Sequence, residues 1–223
     1  MTEIDRWKLY WGKQTTPLHR FNTPFWYEKY AEEINLILNV SEYSGGAVLE
    51  TGCGNGALFP YLDINKKEYT GVDISESLLE IFRSKFPDAN LICDDSSKYR
   101  SNRKFSLIFS NGVIQYFNRQ MMHRYVLTSM EMLEENGILL IANILWKNAK
   151  NGYYSGELTS KAQKTRNLSI KIIKSLIWRI IKPNDSMGHF YNPRDFFQYE
   201  ANATVYGSLF HPYRFSMVLR KKA

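Results

Sequence analysis

One stretch limits what this chain can fold into more than any other. Residues 47 to 56 read Ala-Val-Leu-Glu-Thr-Gly-Cys-Gly-Asn-Gly. The apolar run Ala47, Val48 and Leu49 fits a buried strand, and the alternating Gly52, Gly54 and Gly56 fit a tight turn. Residues 57 to 62 then read as the start of a helix. A turn without Cβ atoms lets backbone N–H groups approach a ligand closely, beside the positive end of that helix. The segment is therefore expected to hold a nucleotide-like cofactor.

Around this turn the sequence alternates between strand and helix patterns. Strands are expected at 47–50, 68–73, 90–93, 105–110 and 138–145. A helix over 25–40 carries an apolar stripe at Tyr27, Tyr30, Ile34, Ile37 and Leu38, and Gly45-Gly46 breaks it. Ser75 caps a helix running to about Phe86, and another spans about 119–135, ended by Asn136-Gly137. The alternation implies an α/β fold, a mainly parallel, doubly wound sheet with helices on both faces. Beyond 145 the order changes. Residues 146–167 are polar, 168–182 read as one helix before Pro183, and Asn192-Pro193 opens a short helix to Tyr199. Strand-like runs at 203–210 and 214–221, joined around His211-Pro212, suggest a hairpin at the sheet edge. One domain is expected, with an arm and helix (1–44), a cofactor-binding core (45–145), a basic insertion (146–190) and a C-terminal helix and hairpin (191–223).

Composition narrows the partners. No stretch of 18 apolar residues occurs, so no transmembrane helix is expected. Residues 1–20 lack the apolar core of a signal peptide. The two cysteines, Cys53 and Cys93, make no disulfide framework and no metal-ligand spacing, so the cytoplasm is the expected compartment and no metal site is expected. The net charge of +7 is local. Residues 146–182 hold nine Lys and Arg against the single acid Glu157, and the remainder is near neutral. The 168–182 helix has a broad apolar face and a narrow basic one. It reads as a lid packed on the sheet, or as a contact for a membrane surface or a lipid-linked acceptor. No RNA-binding motif is visible, so nucleic acid is not expected as a partner.

The ends of the strands gather further polar groups on one rim. Asp73 ends the second strand, 19 residues after Gly54. A carboxylate there can accept both hydroxyls of a ribose. Asp94 and Asp95 end the third strand, and Ser110 to Tyr116 follow the fourth. The pattern resembles the class I S-adenosylmethionine-dependent methyltransferases over roughly residues 45–145. Glu50-Thr51-Gly52-Cys53-Gly54-Asn55-Gly56 matches that family's acidic glycine loop.

The resemblance implies a Rossmann-like, seven-stranded sheet with an antiparallel last strand, and S-adenosylmethionine as cofactor. It implies that Glu50, Gly52, Cys53, Gly54 and Gly56 meet the methionine part, and that Asp73, with Ile74 beside it, meets the ribose. Asp94 or Asp95, with Asp94 preferred, would contact the adenine amino group. Ser110 and Asn111 would lie along the cofactor, with Gln115 near the transferred methyl. Gly52-x-Gly54-x-x-Ala57 also satisfies the dinucleotide fingerprint, which leaves an NAD-dependent oxidoreductase as the rival. Glu50, the acid after the third strand and the late first strand favour methyl transfer. A non-catalytic membrane or scaffold protein on the same fold is the other alternative.

In-line methyl transfer requires orientation, exclusion of water and, for some acceptors, a general base. His189, at the end of the insertion, and His19, in the aromatic arm, are the candidates. His123 and His211 read as packing or structural residues. Tyr10, Trp11 and Tyr116 are candidates to line the pocket. A small molecule, a sugar or a lipid-linked compound is the expected acceptor.

Overall fold

A computed structural model of the chain describes residues 10–11, 23–155, 158, 188–199 and 202–221. His19 and the 168–182 helix lie outside the described residues. Helix α1 (Pro24–Val40) begins with Pro24 in its first turn and Thr23 as N-cap, where proline's missing N–H costs nothing. It buries Ile34, Ile37 and Leu38 of the expected stripe together with Ala31, while Tyr27 and Tyr30 are half-buried.

Strands β1 (Val48–Thr51), β2 (Tyr69–Asp73), β3 (Asn90–Cys93), β4 (Phe105–Asn111), β5 (Leu133–Leu145), β6 (Asn202–Gly207) and β7 (Arg214–Arg220) form one sheet. Their order is β3-β2-β1-β4-β5-β7-β6. The first five strands are parallel, and β7 runs antiparallel to both β5 and β6. The seven-stranded sheet with its edge hairpin is thus the fold the sequence pointed to.

Alternation along the strands divides the core in two. Ile108, Leu139 and Ile141 face one layer with Met122, Tyr125 and Val126 of helix α3 (Arg119–Met132). Leu107, Phe109, Ile138 and Leu140 face the other, with α1 and with Leu79 and Phe82 of helix α2 (Glu76–Lys85). Ser75 caps α2 by accepting from Leu78 N, as its position implied.

Several expectations shift, the first being that residues 57–62 form only a single 3-10 turn, Phe59–Tyr61, and not the start of a helix. Helix α3 stops at Met132, and β5 begins at Leu133 rather than 138, pairing Phe105 with Leu133. Asn136-Gly137 is not a helix end but a kink within the strand's exposed start, with Asn136 at φ +61°. The short helix opened by Asn192 is a single 3-10 turn, Pro193–Asp195, closed by a capping box. The first hairpin strand ends at Gly207 because Ser208 and Leu209 turn back to donate to the buried Glu33 carboxylate.

Parallel order places the C-terminal ends of β1, β2, β3, β4 and β5 on one edge, where ligands bind in open α/β sheets. β7 starts at that same edge, since Leu145 at the end of β5 pairs with Arg214.

Candidate active site

The three glycines of the turn after β1 serve different ends. All have positive φ, at +74°, +54° and +71° for Gly52, Gly54 and Gly56. A Cβ on Gly52 would strike Val113 at 2.3 Å, and one on Gly56 would strike the Phe82 ring at 2.5 Å. Those two let the turn sit tightly on its own protein. A Cβ on Gly54 would meet nothing within 4 Å. Gly54 therefore presents bare backbone to open space, which is what close approach by a ligand needs.

Asp73 fixes this turn. Its Oδ2 accepts from Gly54 N at 2.8 Å and its Oδ1 from Ser75 N at 2.9 Å. Burial pushes the carboxyl up, and the N–H groups of Ser75, Gly54 and Ile74 pull it back. Each carboxylate oxygen keeps lone-pair capacity beyond these bonds. Gly52 N and Cys53 N both donate to Val72 O, tying the turn to β2. Burial also pushes the Cys53 thiol well up, so it is a packed thiol rather than a nucleophile.

Glu50 lies beneath the turn at 2% exposure. Tyr69 Oη donates to its Oε2 at 2.6 Å. Burial, offset in part by that bond and reinforced by the nearby Asp73 charge, pushes Glu50 up to about 8. Burial thus disfavours the charged form of this carboxyl. Tyr69 was not legible as a site residue, because it reads as one more aromatic of a buried strand.

At the end of β3, Asp94 and Asp95 diverge. Asp94 is exposed, and its Oδ1 accepts from Asp95 N at 2.7 Å. Asp95 is buried and caps the next turn through Ser97 N at 2.9 Å. At the end of β4, Ser110 is buried and Asn111 half-buried at the rim. A Cβ on Gly112 would also meet open space. Gln115 stands in the next turn, and its carbonyl accepts from His189 N at 2.7 Å. Gly188, at φ +94°, allows that docking, since a Cβ there would lie 2.2 Å from Gln115 O. The structure thus brings His189 beside Gln115.

Two more elements reach the rim. Ser75 Oγ donates to Trp11 O at 3.2 Å, and the Trp11 ring meets Tyr116 edge-on at 5.5 Å. Trp11 so spans from the end of β2 to the turn after β4. Arg214, at the start of β7, donates from Nη1 to Asn143 O at 2.6 Å and to Gln115 Oε1 at 3.4 Å. By contrast, His123 Nδ1 pairs with Tyr199 Oη at 3.2 Å, and the buried His211 pairs with Tyr30 Oη at 3.0 Å while stacking on Trp26. Both have structural partners. Among the described residues no His, Cys, Asp and Glu cluster could hold a metal ion, and no helix there is long and apolar enough to cross a membrane.

Residues 48–137 match a family model described as a methyltransferase domain. A malonyl-(acyl-carrier protein) O-methyltransferase of Priestia megaterium is 33% identical over 100 residues, 43% of this chain and 36% of that protein. The chain spans about a third of the length of the curated relatives it matches. The solved S-adenosylmethionine-dependent methyltransferase of Clostridium acetobutylicum aligns over 100% of both chains, with a TM-score of 0.61 and 16% identity. The magnesium protoporphyrin IX methyltransferase of Synechocystis, solved with bound S-adenosylhomocysteine, aligns over 98% of this chain and 94% of that one, with a TM-score of 0.56 and 12% identity. The two solved structures match the fold, seven strands included. Residues 48–137 are thus similar to a methyltransferase domain, and the fold is the one these solved methyltransferases share. The open Gly54 backbone, the clamped Asp73 and the buried Glu50 lie together at this edge, where ligands bind in open α/β sheets.

Proposed function

We propose that the chain transfers the methyl group of S-adenosylmethionine to a small-molecule, carrier-linked or lipid-linked acceptor. The observation that carries this is the Gly54 backbone facing open space while its own N–H is held by Asp73. Asp73 and Ile74 would take the ribose, and Asp94 the adenine amino group, with Asp95 shaping the turn beneath it. Glu50 would answer the positive charge of the methionine part. Gly52, Cys53, Gly54 and Gly56 supply the backbone cradle, and Ser110 and Asn111 the wall.

When bound, the cofactor supplies a methyl already activated by its sulfonium. The protein then has to orient the acceptor and keep water out. Orientation alone contributes roughly 7–11 kcal/mol in favourable cases. Trp11 and Tyr116, in contact over the rim, are placed to exclude water. For an acceptor that must lose a proton, His189 beside Gln115 is the candidate base, worth about 10²- to 10⁴-fold. His19 is a second candidate from the sequence alone.

The Priestia relative's name points to a malonyl thioester as one acceptor to test. The basic 168–182 segment is the part of the chain suited to a lipid-linked acceptor, and the reading needs no nucleic acid. The methyl donor is a cytoplasmic metabolite, so the reaction is assigned to the cytoplasm. Titration calorimetry with S-adenosylhomocysteine and with NADH tests the proposal. Binding of the first and not the second supports it. Binding of NADH would shift the reading to an oxidoreductase, and binding of neither would leave a non-catalytic protein.

A further inference from the structure

The corner where β4, β5 and β7 meet holds polar groups that cofactor binding does not use. β5 bulges there, its pairing with β7 shifting register between Ile141 and Ile144, and Asn143 sits in the bulge at φ +59°. Its Nδ2 donates to Asn111 Oδ1 at 2.5 Å, and its carbonyl accepts from Arg214. Its Oδ1 is buried and has no hydrogen-bond partner among the described residues. A buried acceptor left unpaired costs about 1–3 kcal/mol, so such an atom points to a ligand that completes it.

Arg214 faces the same corner. Both of its side-chain hydrogen bonds leave from Nη1, and Nη2 and Nε meet no acceptor among the described residues. The guanidinium lies over the Tyr213 ring at 5.7 Å. The buried acid Glu33 on α1 feels the Arg214 charge, but its carboxylate is committed to Ser208 Oγ and Leu209 N at 3.0 Å each and is not within ion-pair distance of the guanidinium. A half-buried guanidinium with a donor edge to spare is suited to take a carboxylate in a forked pair. Through its Nη1 bond to Gln115 Oε1 the guanidinium is tied to the turn after β4, where the transferred methyl is assigned.

We propose that Arg214 binds an ionised carboxylate of the methyl acceptor, with Asn143 Oδ1 receiving an N–H or O–H of the same molecule. The inference rests on the methyltransferase reading and narrows its substrate to a carboxylic acid. Such an acceptor arrives already deprotonated. Transfer forms an ester C–O bond at one carboxylate oxygen as the S–CH₃ bond breaks, with S-adenosylhomocysteine leaving and no proton released.

The test uses protein saturated with S-adenosylhomocysteine and two isosteric probes, the malonyl thioester of N-acetylcysteamine and its carboxamide. Calorimetry should show the carboxylate binding at least about tenfold tighter than the amide, the range expected of a charged hydrogen-bonded pair. Arg214→Met should erase the preference, and Arg214→Lys should restore part of it. Each variant's affinity for S-adenosylhomocysteine reports whether its rim is intact. Equal affinity for the two probes, no binding of the malonyl probe, or an unchanged preference in Arg214→Met would overturn the assignment. Failure of the wild type to bind S-adenosylhomocysteine would instead remove the methyltransferase reading beneath it.

Discussion

Glu50 is the group whose charge should change when the cofactor arrives. Its carboxyl moves from an ordinary 4.5 to about 8 on burial. That difference corresponds to about 5 kcal/mol held against ionising the folded acid. The folded state binds this proton more tightly than the unfolded chain does. Its stabilising contribution is therefore fully present below 4.5 and is lost as pH rises to about 8. A cation set beside the acid favours ionisation, and the cofactor's methionine part carries one. Binding of S-adenosylhomocysteine at about pH 7 should thus release about one proton, with affinity rising about tenfold per pH unit between about pH 6 and pH 8. Calorimetry in phosphate and in Tris, whose ionisation enthalpies differ, reads the proton count directly. Glu50→Gln should release none and should lose the pH dependence. A wild type that releases no proton at neutral pH, or a Glu50→Gln variant that releases as many as the wild type, would refute the coupling.

Three further outcomes are expected. Asp73→Ala should weaken S-adenosylhomocysteine binding by about tenfold or more, from the loss of a charged clamp on the turn and on the ribose; an unchanged dissociation constant by calorimetry would remove the ribose assignment. Gly56→Ala should lower the melting temperature sharply, because its Cβ lands on Phe82, whereas Gly54→Ala should cost about 1–2 kcal/mol of folding stability from its positive φ while abolishing cofactor binding. Trp11→Ala should speed S-adenosylhomocysteine release in stopped-flow fluorescence, and an unchanged rate would show that the arm does not cover the groove.

The parts of this molecule legible in its sequence are those set by short-range pattern. The strand, the glycine turn and Glu50 lie within ten residues, and Asp73 follows at one strand–helix spacing. Their positions on a common edge follow from parallel topology alone. The acceptor corner was not legible. Arg214 meets the carbonyl of a residue 71 positions earlier, and that contact exists only because β7 runs antiparallel against a bulged β5. Asn143 did carry a signal, as a lone polar side chain inside Ile-Leu-Leu-Ile-Ala-Asn-Ile-Leu, which an ordinary buried strand would not tolerate. The Leu133 start of β5 was hidden for the opposite reason. Asn136-Gly137 reads locally as a helix stop, and only pairing with Phe105 shows that the preceding residues are already strand.

The most direct measurement is a crystal structure of the protein grown with S-adenosylhomocysteine. Density should run along the carboxyl ends of the first four strands, with the ribose hydroxyls on Asp73, the amino-acid end above Glu50 and the backbone of Gly54 in van der Waals contact. Density at another edge of the sheet, or a groove closed by the protein's own side chains with no ligand bound at saturating concentration, would contradict it.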